Sequence, residues 1–496
     1  MAILIVLMYL LPPIMPVARA DGAWYVAPNG SDANDCRTPV SPCKAAGTAV
    51  ASAAAGDTIF LAAGTYFEAL TITKSLALVG AGAATTALDG GGVERLLTIE
   101  GPIQVSISGL SIQNGHDWAT GGIYNYYGAV TLMSSIVQHN YSFVGPGGGI
   151  YNIGKFTIVN SVIENNIAEL VGGGIYNAEG VMTIERSSVR NNTAAYTRTA
   201  LAGSAGGGIM NNGTMTLRRT EVRGNVSYSN MNNAYGGGIY NTGMLKLSAS
   251  TISANQAAGY GAGVYNDGSL TIESSTISGN TVSMYVPRAE GGFGGGISSS
   301  GNLKITNSTL SDNTAAVQGG GIWSTGAITI TNATISDNSA ALQGGGIAQA
   351  GGVIKLQNTI VAVNHGAGSP DCLGTLASQG YNLLGDDLGC AFTPDVGDQI
   401  GTHTGPIDPR LGPLQDNGGP TFTRQLLRDS PAIDAANPAT PGSGGSTCPP
   451  IDQRGFRRPQ QSACDIGAYE LGRWYALPLI LDAPPPSRSG MYAQKR

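Results

Sequence analysis

The stretch Gly172-Gly173-Gly174-Ile175-Tyr176-Asn177 decides how this chain folds, because close copies of it recur along the middle of the sequence. Its isoleucine, or a valine in its place, falls at Ile123, Ile150, Ile175, Ile209, Ile239, Val264, Ile297, Ile322 and Ile347, at spacings of 27, 25, 34, 30, 25, 33, 25 and 25. Nine copies on a minimal unit of 25 residues define a repeat architecture. Within a unit a glycine turn leads into alternation such as Leu270-Thr271-Ile272 or Ile328-Thr329-Ile330, and a hydrophobic-x-x-Asn step such as Ile277 to Asn280 closes it. Period-two alternation, β-branched residues and Gly or Asn punctuation predict three short strands per unit and no helix. So small a unit cannot bury an apolar face alone. Stacking the units, about 4.8 Å per rung, merges the inward Ile, Leu and Val side chains into one core. The expected fold is all-β, a parallel β-helix over residues 57–365.

Two asparagine ladders fit that stack. Asn140, Asn166, Asn192, Asn225, Asn255, Asn280, Asn313, Asn338 and Asn364 end successive units, and Asn125, Asn152, Asn177, Asn211, Asn241 and Asn266 follow the Ile-Tyr pair. Asn tolerates the left-handed backbone of a sharp corner, and stacked amides hydrogen-bond from rung to rung. With the Ile inward, Tyr124, Tyr151, Tyr176, Tyr240, Tyr265 and Trp323 point outward on one face. Such a face either stacks on sugar rings and protein partners or stiffens the solenoid by stacking on itself. From the corner Asn to the next Ile the spacing is 9 residues in four units, but 17 after Asn192, 14 after Asn225 and 17 after Asn280. Three insertions therefore enter at one corner. They carry Tyr196, Arg198, Tyr228, Tyr235, Tyr285, Arg288 and Phe293, an aromatic and guanidinium mixture suited to a contact surface.

The whole chain has 496 residues with 74 Gly, 42% hydrophobic and 12% charged residues, so its glycine belongs to an ordered and charge-poor backbone rather than to disorder or collagen. A formal charge of -6 gives no footprint for a nucleic-acid partner. No run of eighteen apolar residues suggests a membrane span. Residues 1–20, with the apolar run Ala2 to Leu11 and the A-x-A site Ala18-Arg19-Ala20, read as a signal peptide and point to export. Six cysteines fall as three local pairs, Cys36/Cys43, Cys372/Cys390 and Cys448/Cys464, which in an exported chain suggests disulfides. Residues 21–56, including an Ala-rich stretch from Lys44 to Ala55, are placed to cap the first rung.

The Gly-Gly-Gly-Ile and hydrophobic-x-x-Asn unit resembles the repeat of chlamydial polymorphic outer-membrane proteins and of other bacterial right-handed parallel β-helix surface proteins. It has Gly where the chlamydial repeat often has Ala, and Ile, Val or Leu where that repeat has Phe. Further on, Leu414 to Thr421, Ser430 to Asp434, Asp452-Gln453-Arg454-Gly455 and Cys464 to Glu470 together are similar to the choice-of-anchor Q domain. This implies a C-terminal region over 366–471, followed by a tail over 472–496, in an exported bacterial β-helix protein.

Parallel β-helices also host polysaccharide lyases, hydrolases and epimerases, whose sites need clustered carboxylates with basic residues nearby. Asp312 and Asp337 occupy equivalent positions one rung apart and are the catalytic candidates, while Glu164, Arg190 and Arg223 hold nearby positions in other rungs. No C-x-x-C or His cluster suggests zinc. The C-terminal aspartates Asp386, Asp387, Asp395 and Asp398 leave calcium as the one cofactor to consider, without EF-hand spacing. The charge-poor rungs favour a secreted or cell-surface protein that binds glycan or another extracellular macromolecule without catalysis. A carbohydrate-active enzyme and a structural spacer are the alternatives.

Overall fold

The computed structural model describes residues 22–196, 203–229, 234–283 and 291–472. They form a parallel β-solenoid of about twelve turns. Each repeat rung carries four strands rather than the expected three. In the rung that starts at Val264 these are Val264–Asn266, Ser269–Glu273, Thr276–Ser278 and Thr281–Val282. The fourth is only two residues long, too short to show as alternation. Each strand pairs in parallel with its counterpart on the neighbouring rung, so that Tyr240 lies opposite Tyr265, Leu245 opposite Leu270, Ile252 opposite Ile277 and Ala257 opposite Val282. Val264, Leu270, Ile272 and Ile277 are buried, and their equivalents up and down the stack make one continuous core.

The glycine triplet has a steric cause. Gly236 sits at φ 61°, a left-handed position. A Cβ on Gly237 would lie 2.2 Å from the Gln256 carbonyl oxygen, and one on Gly238 would lie 2.6 Å from the Gly263 carbonyl oxygen. Successive rungs approach so closely here that no side chain fits between them.

The corner asparagines act differently from expectation. Left-handed residues do mark the corner, but they precede the ladder residue: Asn165, Asn191, Ala254, Asp312 and Asp337 lie at φ 54°, 55°, 53°, 60° and 58°. The ladder residue itself is selected for hydrogen bonding. Asn166 donates both its backbone N–H (3.0 Å) and its Nδ2 (2.9 Å) to Oδ1 of Asn192, while Asn192 Nδ2 also reaches the Ile163 carbonyl at 2.9 Å. The second ladder runs through the amides of Asn152 and Asn177, 2.8 Å apart. A third, unforeseen ladder is built from serines at another corner, where the N–H of Ser135 donates to Ser161 Oγ and that of Ser161 to Ser187 Oγ, each at 3.1 Å.

At the N-terminal end Ala23–Val26 pairs with Thr58–Leu61, and the helix Ala46–Ser52 buries Ala46, Ala49 and Val50. The Cys36–Cys43 disulfide closes the segment that hydrogen-bonds along the first strand. At the other end the rungs run on through Cys372–Ser378 and Gln399–Ile400, with the Cys372–Cys390 disulfide between them. The chain then folds back along the outside of the sheet formed by the third strands. This returning segment contains the antiparallel pair Leu411–Gln415 and Thr423–Leu426 and the Cys448–Cys464 disulfide. Gln453 holds it to the solenoid: its Oε1 accepts from Thr309 Oγ1 at 2.7 Å, and its Nε2 donates to Thr276 Oγ1 at 2.9 Å. The expected signal peptide and all of the tail beyond Gly472 lie outside the described residues.

Candidate binding surface

The first strands Ile150–Asn152, Ile175–Asn177, Ile239–Asn241 and Val264–Asn266 each have three residues, with the outer two buried and the middle tyrosine turned partly to solvent. The tyrosines are therefore carried outward by strand geometry alone. Tyr124 and Tyr151 stack at 4.9 Å between ring centroids, and Tyr151 meets Tyr176 edge-on at 5.2 Å. Met210 then interrupts the ladder before Tyr240.

Beyond Met210 the rings form a second, denser group. Tyr235, Tyr260 and Phe293 occupy successive bridging positions just before the glycine triplets. Their rings stack at 5.4 and 5.5 Å. Tyr265 lies 5.0 Å from Tyr240 and 4.9 Å from Tyr235, and Trp323 leans back to within 5.2 Å of Phe293 and 6.0 Å of Tyr260. All six rings are half-buried, largely by one another. Burial, with neighbouring Tyr176, Tyr124 and Glu179, pushes the Tyr151 hydroxyl up to about 12. Burial, followed by the Asp267 carboxylate, raises Tyr240 and Tyr265 as well. The Tyr240 hydroxyl donates to Asp267 at 2.9 Å. These phenols stay protonated at neutral pH and act as donors.

Tyr235 and Phe293 thus stand at the base of the inserted corners, inside the aromatic group. Tyr228 lies on the fourth strand Val226–Ser229, opposite Ala195. The Tyr196 side chain, Arg198, Tyr285 and Arg288 lie outside the described residues. All three insertions enter between a fourth strand and a bridging position, at one corner of the stack.

A third aromatic group has no counterpart in the repeat pattern. Trp118 packs edge-on against Phe143 at 5.5 Å, and His116 against Tyr141 at 4.8 Å. A few residues past Trp118, on the first strand of the next rung, Tyr124 is followed by Tyr126 and Tyr127, whose rings are 4.5 Å apart. Arg95 joins the two parts, paired with Asp117 and lying 4.7 Å over the Tyr124 ring. Only the single occurrence of Trp118 in an otherwise periodic chain hinted at this group.

The catalytic candidates are drawn together by a residue that repeat arithmetic could not supply. Arg424, on the returning segment, places Nη2 3.1 Å from Asp312 and Nη1 3.0 Å from Asp337, with Nε 2.7 Å from Ser311 Oγ. Burial raises the Asp337 carboxyl; Arg424 opposes that shift and Asp312 adds to it. The guanidinium spans both carboxylates.

The C-terminal aspartates mostly serve the backbone. Asp398 accepts from the backbone N–H of Asn382 at 2.8 Å and that of Asp395 at 2.7 Å, and Asp386 accepts from Leu388 N–H and pairs with His403 Nδ1 at 2.8 Å. Among the described residues no group of three or more His, Cys, Asp or Glu converges as a cation site. The motif residues around 452–470 form the charged interior of the returning segment. Arg458 pairs with Glu470 at 2.9 Å and Arg454 with Asp452 at 2.7 Å, while burial, then Glu470, pushes Asp465 up to about 7.

The Chlamydia polymorphic membrane protein repeat matches residues 307–325 of this parallel β-solenoid. No curated protein matches the sequence. Among solved structures, pectate lyase Pel9A is similar at 15% identity and a TM-score of 0.42, covering 91% of this chain and 97% of that one. XylC in complex with xylose is similar at 10% identity and a TM-score of 0.45, covering 90% and 98%. The A-module of the Azotobacter vinelandii mannuronan C-5 epimerase AlgE6 is similar at 15% identity and a TM-score of 0.42, covering 71% and 94%.

Proposed function

We propose that this protein is an exported surface or extracellular solenoid that binds glycan through its outward aromatic face, without catalysis. The observation that carries the reading is the row of tyrosines held outward on the consecutive parallel strands of Tyr124, Tyr151 and Tyr176 and, past Met210, on those of Tyr240 and Tyr265. Rings fixed on a rigid sheet lose little entropy when a sugar stacks on them. The charge-poor rungs support binding over hydrolysis, whereas the meeting of Asp312, Asp337 and Arg424 is the feature that favours the enzyme alternative. Three local disulfides suit an oxidising, extracellular setting. A glycan-array screen of the chain from Asp21 onward tests the reading: retained binding without cleavage is expected, both for the natural sequence and for Asp312→Asn/Asp337→Asn. Cleavage of a bound polysaccharide that disappears in the double variant would establish an enzyme instead.

A further inference from the structure

The aromatic residues divide by exposure. In the group around Tyr235, Tyr260 and Phe293, rings cover rings, and each side chain is half-buried. Around Trp118 the balance is reversed: Trp118 is 68% exposed, Tyr127 56% and Tyr126 43%. Large aromatic side chains left this open on a charge-poor solenoid need an explanation beyond packing. Their backbone is nonetheless rigid. The Trp118 N–H donates to the Asp117 carboxylate at 2.7 Å, and its carbonyl accepts from Val144 N–H at 3.3 Å across the rung.

We propose that Trp118, Tyr124, Tyr126 and Tyr127, with the Arg95–Asp117 pair among them, form the ligand platform, and that it takes an uncharged polysaccharide chain lying across the solenoid axis. This rests on the glycan-binding reading above and narrows it to a place and a ligand class. The chemistry follows from the parts. Exposed aromatic faces match the C–H faces of pyranose rings. Arg95 offers donors and Asp117 acceptors to sugar hydroxyls, and their mutual pairing leaves no net charge to attract a uronate. Trp118 to Tyr127 lie within one turn of the solenoid, from the end of one rung's fourth strand into the next rung's first, so the platform runs across the stack. Several aromatic faces along it suit linked sugars rather than one.

Calorimetric titration of the full chain with hexasaccharides of β-1,4-linked glucose, of β-1,4-linked xylose and of galacturonate tests this. Binding of at least one uncharged hexasaccharide is expected, more tightly than hexagalacturonate, and Trp118→Ala and Tyr127→Ala should each weaken it tenfold or more at an unchanged melting temperature. Tyr260→Ala, in the self-stacked group, should lower the melting temperature and leave the affinity of the remaining folded protein unaltered. If the Trp118→Ala/Tyr127→Ala double variant binds as tightly as the natural sequence, the platform is refuted while glycan binding stands. A preference for hexagalacturonate refutes the uncharged class. No binding to any of the three overturns both readings.

Discussion

Asp371 stands where one more asparagine would continue the corner ladder, and the difference of one atom explains why an acid is there. Its Oδ1 accepts the backbone N–H (3.0 Å) and Nδ2 (2.9 Å) of Asn364, as each ladder Asn does for its predecessor, but its Oδ2 then accepts the N–H of Asp386 at 2.8 Å. An amide nitrogen in that place would face another donor. Asp398 terminates the serine corner in the same way, accepting from Asn382. Burial pushes the Asp371 carboxyl up to about 6 from an ordinary value of 3.8. For an acid raised on folding, the stabilisation is fully present below the unfolded value and is lost as pH rises toward the folded one. The loss across that window is of order 3 kcal/mol. Asp57 and Asp89 are shifted the other way: burial raises each, but side-chain and backbone hydrogen bonds outweigh it and leave both lowered, so their contribution fades only as pH falls below the ordinary range. Stability should therefore peak near pH 4 to 5 and decline toward pH 7, as read from melting temperatures between pH 3 and 8. Asp371→Asn should lower the peak by about 1–3 kcal/mol, for the orphaned Asp386 N–H, and flatten the decline between pH 4 and 6. An unchanged slope in that variant would place the acid preference elsewhere, in Asp465 first.

Strand and corner are the elements in which the sequence speaks most clearly, because repetition multiplies a weak local signal by nine. The Ile-Tyr-Asn strand was legible from its fixed order, and so was the outward course of the tyrosines. The two-residue fourth strand was not, since two residues carry no period. The serine ladder has no sequence signal, because Ser135, Ser161, Ser187 and Ser250 stand among many other serines and only their N–H to Oγ bonds single them out. The left-handed corner lies one residue before the ladder Asn, and Asn suits both a left-handed backbone and an amide ladder, so composition does not separate the two roles. They separate by mutation. Asn192→Ala removes the acceptor for Asn166 N–H and Nδ2 and one donor to the Ile163 carbonyl. A loss of roughly 2–4 kcal/mol is expected from buried groups left unpaired. Asn191→Gly, at the left-handed position, should cost far less, because glycine adopts φ 55° without strain. Chemical denaturation of the two variants measures both. Equal losses would mean that the corner conformation, and not the ladder, sets the choice of Asn.

At the scale of the whole molecule, a solenoid is nearly one-dimensional: each rung touches its two neighbours, so stability is a sum of local terms and its ends are where it opens. The N-terminal end is covered by the helix Ala46–Ser52 and the disulfide-closed segment. The C-terminal end is treated differently, since the chain turns back and binds four rungs from outside, through Thr276, Thr309, Thr334 and Asn358. Such a clamp couples rungs that would otherwise open one by one. No pattern in the sequence showed it, because its contacts join residues more than 80 positions apart and obey no period. Gln453 has its side chain fully used, by Thr276, Thr309, Thr421 and the Phe422 carbonyl. Gln453→Ala leaves the buried Thr309 hydroxyl without its partner and weakens the hold on two rungs, which keep the Thr276–Phe422 and Arg424–Ser311 bonds. Hydrogen exchange should then accelerate in Thr276–Ser278, Thr309–Ser311 and Thr423–Leu426, while the strands Ile150–Asn152 and Ile175–Asn177, three or more rungs away, keep their protection. Faster exchange along the full length would instead mean that the clamp holds the solenoid together as one cooperative unit.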